Sequence, residues 1–287
     1  MTSIKEWTKP IQRNPTRWYR TFRLSVFGIL IGLGLIFVSP GTFAEIPLCS
    51  GPNNLLSLSD RPSVASSSCT VGTKSIVVES GFERDKTLQN TEHRIYPNSD
   101  LRYGLSEMSE LDILPSAYNR YQKPTDSGFG ITTIGYRRIA YHDTNQIVTF
   151  LGFIRLPSGS RIWGSRKGGF QLKGIYTHSL PSGFGFTTIA DVSLFSDPPI
   201  SGGKSYYSFN PIGLISWSPI DPIQIYWEVY SQSKTDSESG WGVNGDIGLM
   251  ILLSKNLMVD LNYGHRIAGA LSDLHHYVGC GLVVRLA

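Results

Sequence analysis

Ten charged residues sit inside stretches of alternating apolar and polar residues, on the face opposite the apolar side chains: Glu79, Arg102, Glu110, Asp112, Arg137, Lys173, Asp191, Glu228, Asp246 and Asp260. Carboxylates, amines and guanidiniums projecting from one face of a sheet can pair, or can line a hydrated bore whose potential a passing solute feels. Arg102 and Glu110 fall on consecutive segments joined by a short turn, close enough to pair across an interior. These ten are the candidates for governing permeation, and no residue is assigned a catalytic role.

Nucleophilic and metal chemistry have weaker support. Tyr141-His142-Asp143-Thr144-Asn145 contains a base and a carboxylate, but this composition is that of an Asp/Asn turn. His275 and His276 are adjacent, and adjacent strand residues point to opposite faces, which is a poor start for one metal site. His178 and His265 are isolated, and no glycine loop cradles a phosphate, so neither metal nor cofactor is expected. Trp163 and Trp241, with Tyr206 and Tyr207, suit an aromatic girdle at a headgroup level or a loop that meets a hydrophobic solute.

The elements that must carry these side chains are strands. In residues 223–230, Ile223, Ile225, Trp227 and Val229 alternate with Gln224, Tyr226, Glu228 and Tyr230, which is the two-residue period. Cutting at turn signals predicts twelve segments: 73–84, 92–104, 109–120, 127–141, 146–156, 168–180, 184–195, 206–218, 222–232, 241–254, 257–267 and 275–287. Their lengths suit tilted strands that cross a bilayer, about 9–11 residues each. Short links alternate with longer ones, the asymmetry of outer-membrane barrels. A soluble barrel would put the charged face in water. In lipid the same face must turn inward, and the even strand count and loop pattern favour that arrangement.

Before the first segment, Lys5, Lys9, Arg13, Arg17, Arg20 and Arg23 precede an apolar run from Leu24 to Val38 and a Thr42-Phe43-Ala44 cleavage pattern. This reads as a signal peptide over 1–44, with the mature chain starting at Glu45. Those 44 residues hold six basic groups and one acid, so the formal +4 of the whole chain becomes about −1 after cleavage, and nothing basic points to nucleic acid. Residues 45–72 form a segment that lies in the periplasm or enters the lumen. Cys49 and Cys69 either pair in an oxidising compartment or stay as two thiols, with Cys280 left over.

A resemblance adds to this reading from Ser59 to the C-terminus. It is carried by Asp60-Arg61-Pro62, Val78-Glu79-Ser80-Gly81-Phe82, Leu101-Arg102-Tyr103-Gly104-Leu105 followed by Glu110, and Leu156-Pro157-Ser158-Gly159-Ser160. Trp227-Glu228, Leu257-Met258-Val259-Asp260-Leu261 and Val278-Gly279-Cys280-Gly281-Leu282 complete it. In order and spacing these resemble the family called putative MetA-pathway of phenol degradation, which implies an outer-membrane transporter barrel. Two positions depart from the family pattern: Ile131 stands where an acid is usual, and the chain ends on Leu286-Ala287 rather than an aromatic residue.

The expectation is therefore an all-β transmembrane antiparallel barrel of about 12 strands over 73–287, in the outer membrane of a Gram-negative-type bacterium. Its partners would be outer-membrane lipid, the barrel assembly machinery and a small-molecule solute. It would pass small solutes, hydrophobic or aromatic ones among them, and would not be an enzyme. The alternatives are a lipid-modifying barrel enzyme and a structural or adhesive surface protein.

Overall fold

Period-two alternation makes each strand two-faced, and a sheet with one apolar and one charged face hides its edges by closing on itself. A computed structural model describes residues 46–122, 126–238 and 240–286, and in it the sheet closes with twelve antiparallel strands. The expected signal peptide and its cleavage point at Glu45 lie outside the described residues. The first six strands are β1 (Ile76–Thr87), β2 (Glu92–Ser106), β3 (Ser109–Leu114 and Tyr118–Tyr121), β4 (Ser127–Phe129 and Thr133–His142), β5 (Gln146–Arg155) and β6 (Gly169–Ser179). Then come β7 (Phe184–Ser196), β8 (Ser205–Phe209 and Ile212–Ile220), β9 (Ile223–Gln232), β10 (Gly242–Ser254), β11 (Leu257–Gly269) and β12 (Leu274–Arg285). The wall is completed by β1 against β12, with Val77 opposite Arg285 and Glu83 opposite Gly279.

Two of the three interrupted strands break at a proline, Pro115 in β3 and Pro211 in β8, where the missing N–H removes a rung of the ladder. Both halves of β3 still pair with β2. The short connections 107–108, 143–145, 180–183, 221–222 and 255–256 share one end of the barrel with the start of β1 and the end of β12. At the opposite, loop end, β1 runs on to Thr87 and β11 to Gly269, so the first and last loops shrink to 88–91 and 270–273. The sequence had placed residues 85–90 and 268–274 in longer loops; these strands instead continue past the point where one face is apolar.

Burial is inverted relative to a protein in water. Phe150, Leu172 and Leu261 are 59%, 57% and 58% exposed on the outer face, while Glu79, Arg102, Glu110 and Arg137 are fully buried. Among the described residues no helix is long and apolar enough to cross a membrane, so any crossing is made by strands. Leu261→Arg, mid-strand on the outer face, is expected to cost about 2–4 kcal/mol of stability in lipid, and Leu253→Arg, beside a short turn, about 0–1 kcal/mol. Folding yields in vesicles measure the contrast, and equal yields would contradict the depth assignment.

The interior is filled by the N-terminal segment. A single turn at Pro47–Cys49 and the helix α1 (Asn54–Leu58) lead into an extended run that reaches β1. Leu55, Leu56 and Val71 pack against Val77 of β1, Tyr226 of β9, Met250 of β10, Met258 of β11 and Val283 of β12. Ile46, Leu58 and Cys69 pack against Ile139 of β4 and Ile147 of β5. Cys49 and Cys69 are joined by a disulfide, and Cys280 is exposed on the barrel exterior.

Candidate functional site: a plugged lumen

The plug turns on Asp60. Its carboxylate accepts the N–H of Ser67 (2.7 Å), which closes residues 60–67 into a loop. The N–H groups of Asp60, Arg61, Val64 and Ala65 find acceptors on the wall. Glu79 accepts from the Asp60 N–H (3.1 Å), the Arg61 N–H (2.8 Å) and the Ser59 hydroxyl (3.1 Å). Glu228 accepts the N–H groups of Val64 (2.9 Å) and Ala65 (2.6 Å), and Glu110 that of Val71 (2.6 Å). Hydrogen bonds from backbone N–H groups to a carboxylate are among the stronger ones, so these contacts fix the plug against the wall.

Two guanidiniums tie the same loop from the other side. Arg102 lies 3.0 Å from Glu79 and 2.7 Å from Glu110, and donates to the carbonyls of Leu58 and Cys69. Arg137 lies 2.5 Å from Asp60, 3.0 Å from Glu110 and 3.3 Å from Asp112, and donates to the Ser67 carbonyl (2.8 Å). Arg61, a plug residue, reaches across to Asp260 at 3.2 Å, and Lys173 donates to the Ser66 hydroxyl at 2.8 Å. Asn262 donates to the Pro62 carbonyl (3.1 Å).

All ten charged candidates face the interior, but they do not line one open bore. Seven of them, Glu79, Arg102, Glu110, Arg137, Lys173, Glu228 and Asp260, bond the plug directly, and Asp112 meets it through Arg137. Asp191 and Asp246 find their partners within the wall, the first in Gln171, Ser193 and Asn210, the second in Tyr277, which bonds one of its two oxygens. The Arg102–Glu110 pair forms as expected from their spacing. Sequence reasoning left Asp60 and Arg61 out of the site, although both are charged residues in a segment expected near the lumen.

Burial would raise the pKa of Asp60, but Arg137 and Arg102, with the Ser67 N–H, hold it at about 2, below the ordinary 3.8. A folded-state value below the unfolded one adds stability that is present above about pH 4 and is lost as pH falls through about 2. The gap corresponds to about 2 kcal/mol. Asp60→Asn should therefore lower stability by about that amount at neutral pH, and the variant should converge with wild type toward about pH 2. Thermal unfolding across this range measures it; equal melting at neutral pH would refute it.

The plug does not fill the barrel completely. A vestibule of about 570 Å3 opens at the loop end, and a chamber of about 300 Å3 lies at the short-turn end against β6 to β10. Arg61, Ser63, Ala65 and Ser66 line both, so this one stretch of plug divides them. The loop 156–168 folds over the vestibule: Trp163 stacks on His93 at 4.6 Å, and the Tyr121 ring lies 4.8 Å from each. His93 bonds Asp85 (2.9 Å) and Asn119 (3.2 Å). Trp163 is thus a mouth residue, not part of an external girdle, and Tyr206 turns its hydroxyl to the Thr235 carbonyl; Tyr207 and Trp241 do face outward. Residues 141–146 form a turn in which Asp143 accepts the N–H groups of Asn145 and Gln146.

Comparison with known proteins agrees with this architecture. The family described as "Putative MetA-pathway of phenol degradation" matches residues 59–273. The COG4313 outer membrane channel from Pseudomonas putida F1 superposes with a TM-score of 0.62 at 11% identity, covering 78% of this chain and 100% of that one. The NanC porin superposes with a TM-score of 0.51 at 9% identity, over 73% of this chain and 98% of that one. At such identities the likeness establishes the outer-membrane barrel fold. No curated relative matches by sequence.

Proposed function

The chain belongs to the Putative MetA-pathway of phenol degradation family, and from that premise we propose that it is an outer-membrane channel passing small solutes around its N-terminal plug. The observation that carries this is the pair of cavities, one at each end, with plug residues Arg61, Ser63, Ala65 and Ser66 between them. Glu228 and Lys173 hold Val64–Ser66 and Asp260 holds Arg61, so passage requires a local shift of these few residues and leaves the Asp60 ion pairs in place.

In this reading residues 1–44 direct export, the barrel assembly machinery inserts the mature chain, and the short-turn end faces the periplasm. Lipid covers the apolar exterior. Phe153, Tyr230 and Tyr277 give the vestibule apolar walls suited to a hydrophobic or aromatic solute. The protein is a conduit and not an enzyme: seven of its ten inward charged candidates are engaged with the plug, and the fragment around His142 is held as a turn by Asp143.

Swelling of liposomes containing the mature protein tests the reading. Small neutral solutes such as arabinose should enter at rates above protein-free controls, and larger oligosaccharides should not. Folded protein impermeable to every solute of a broad panel would overturn it in favour of a structural role.

A further inference from the structure

We infer that the vestibule is a binding site for small zwitterions with an apolar or aromatic body, the class of free amino acids; this rests on the channel reading and specifies its solute. Its two walls carry charges of opposite sign that make no ion pair among the described residues. On β2, Asp100 is 9% exposed, lines the vestibule, makes no ion pair among the described residues, and has an Oδ1 without a hydrogen-bond partner. A buried carboxylate left in this state is costly unless a cation or water meets it.

The other wall is basic. On β6, Lys173, also 9% exposed, gives its amine one hydrogen bond, to the neutral Ser66 hydroxyl. On β5, Arg155 lies 4.6 Å over the Phe195 ring and makes no ion pair among the described residues. Both line the same vestibule as Asp100. The ring of Phe153 lies beneath the Lys173 amine, 5.8 Å from it, so the space beside the basic wall is apolar.

A cation alone would satisfy Asp100 and leave Lys173 and Arg155 unmatched, and an anion alone would do the reverse. A zwitterion meets both walls at once, and its body lies on the aromatic floor. The volume of about 570 Å3 falls in the range of small-molecule sites, roughly 300–1,000 Å3. Opposed charges across a narrow space also set up a transverse field that orients a dipolar solute before it reaches the plug.

Three probes with one phenyl body separate the contributions: L-phenylalanine, 2-phenylethylamine and 3-phenylpropionate, titrated calorimetrically at neutral pH into the detergent-solubilised mature protein. L-phenylalanine should bind about fivefold more tightly than either singly charged probe. Asp100→Asn should weaken L-phenylalanine and the amine but spare the carboxylate, and Arg155→Gln should weaken L-phenylalanine and the carboxylate but spare the amine. Equal affinity for all three, no binding of L-phenylalanine, or L-phenylalanine affinity unchanged in both folded variants would overturn the inference. Arabinose swelling is scored separately. Swelling without a zwitterion preference ends this inference and leaves the channel, whereas its absence across the solute panel ends the channel reading.

Discussion

A chain lacking residues 46–72 should conduct on the order of tenfold more than the intact protein, because a twelve-stranded wall is wider than the eight-stranded barrels that side chains fill. The strand ladder closes through β1 and β12 without the plug, so barrel content by circular dichroism should persist. The opened bore should also prefer cations. Seven of the ten inward candidates are acids and three are bases, and removing the plug takes Arg61 and the backbone donors away from the acids. In that background Glu228→Gln should reduce the cation preference, read as a smaller reversal potential under a salt gradient. Conductance unchanged by the deletion would show that the segment does not occlude the path.

Arg102→Met should release the plug and destabilise the protein by about 3–5 kcal/mol, the penalty for removing one partner of a buried ion network. Arg102 is fully buried and holds Glu79 and Glu110 together with the carbonyls of Leu58 and Cys69, each of which loses a charged donor in the variant. Arg102→Lys should recover only part of this, since an ammonium cannot span the same set of acceptors. Protease sensitivity of residues 46–75 and the thermal midpoint report the two effects. Wild-type protection in Arg102→Met would mean that the apolar contacts of Leu55 and Leu58 hold the plug without the guanidinium.

The barrel was legible because lipid enforces a strict two-faced pattern. The segment expected at 184–195 is Phe184–Ser196, and that expected at 257–267 is Leu257–Gly269. The pattern fails where the enforcement ends. Asp85-Lys86 reads as a loop because, after Glu83-Arg84, both faces of β1 are polar, yet the ladder continues to Thr87. The plug was less legible for a different reason: periodicity says which face a charge takes but not which distant group it meets. One signal was present, the surplus of inward acids over inward bases, which calls for donors from elsewhere. Ser59 and the N–H groups of Asp60, Arg61, Val64 and Ala65 are those donors. Trp163 stays open in the sequence between girdle and solute-facing loop, because an exposed aromatic and one folded over a mouth have the same local sequence; the structure places it at the mouth.

The disulfide between Cys49 and Cys69 makes residues 49–69 a closed ring, and a ring carries load differently from a string. Tension applied at residue 46 enters at Cys49, crosses the sulfur bridge and leaves at Cys69 toward β1. The slack arc, with its bonds to Glu79 and Glu228, bears none of it. The load falls instead on Cys69, whose carbonyl is gripped by both Arg102 and Arg137. Pulled from its end, the plug cannot peel one bond at a time; it yields in shear, with both guanidiniums letting go together.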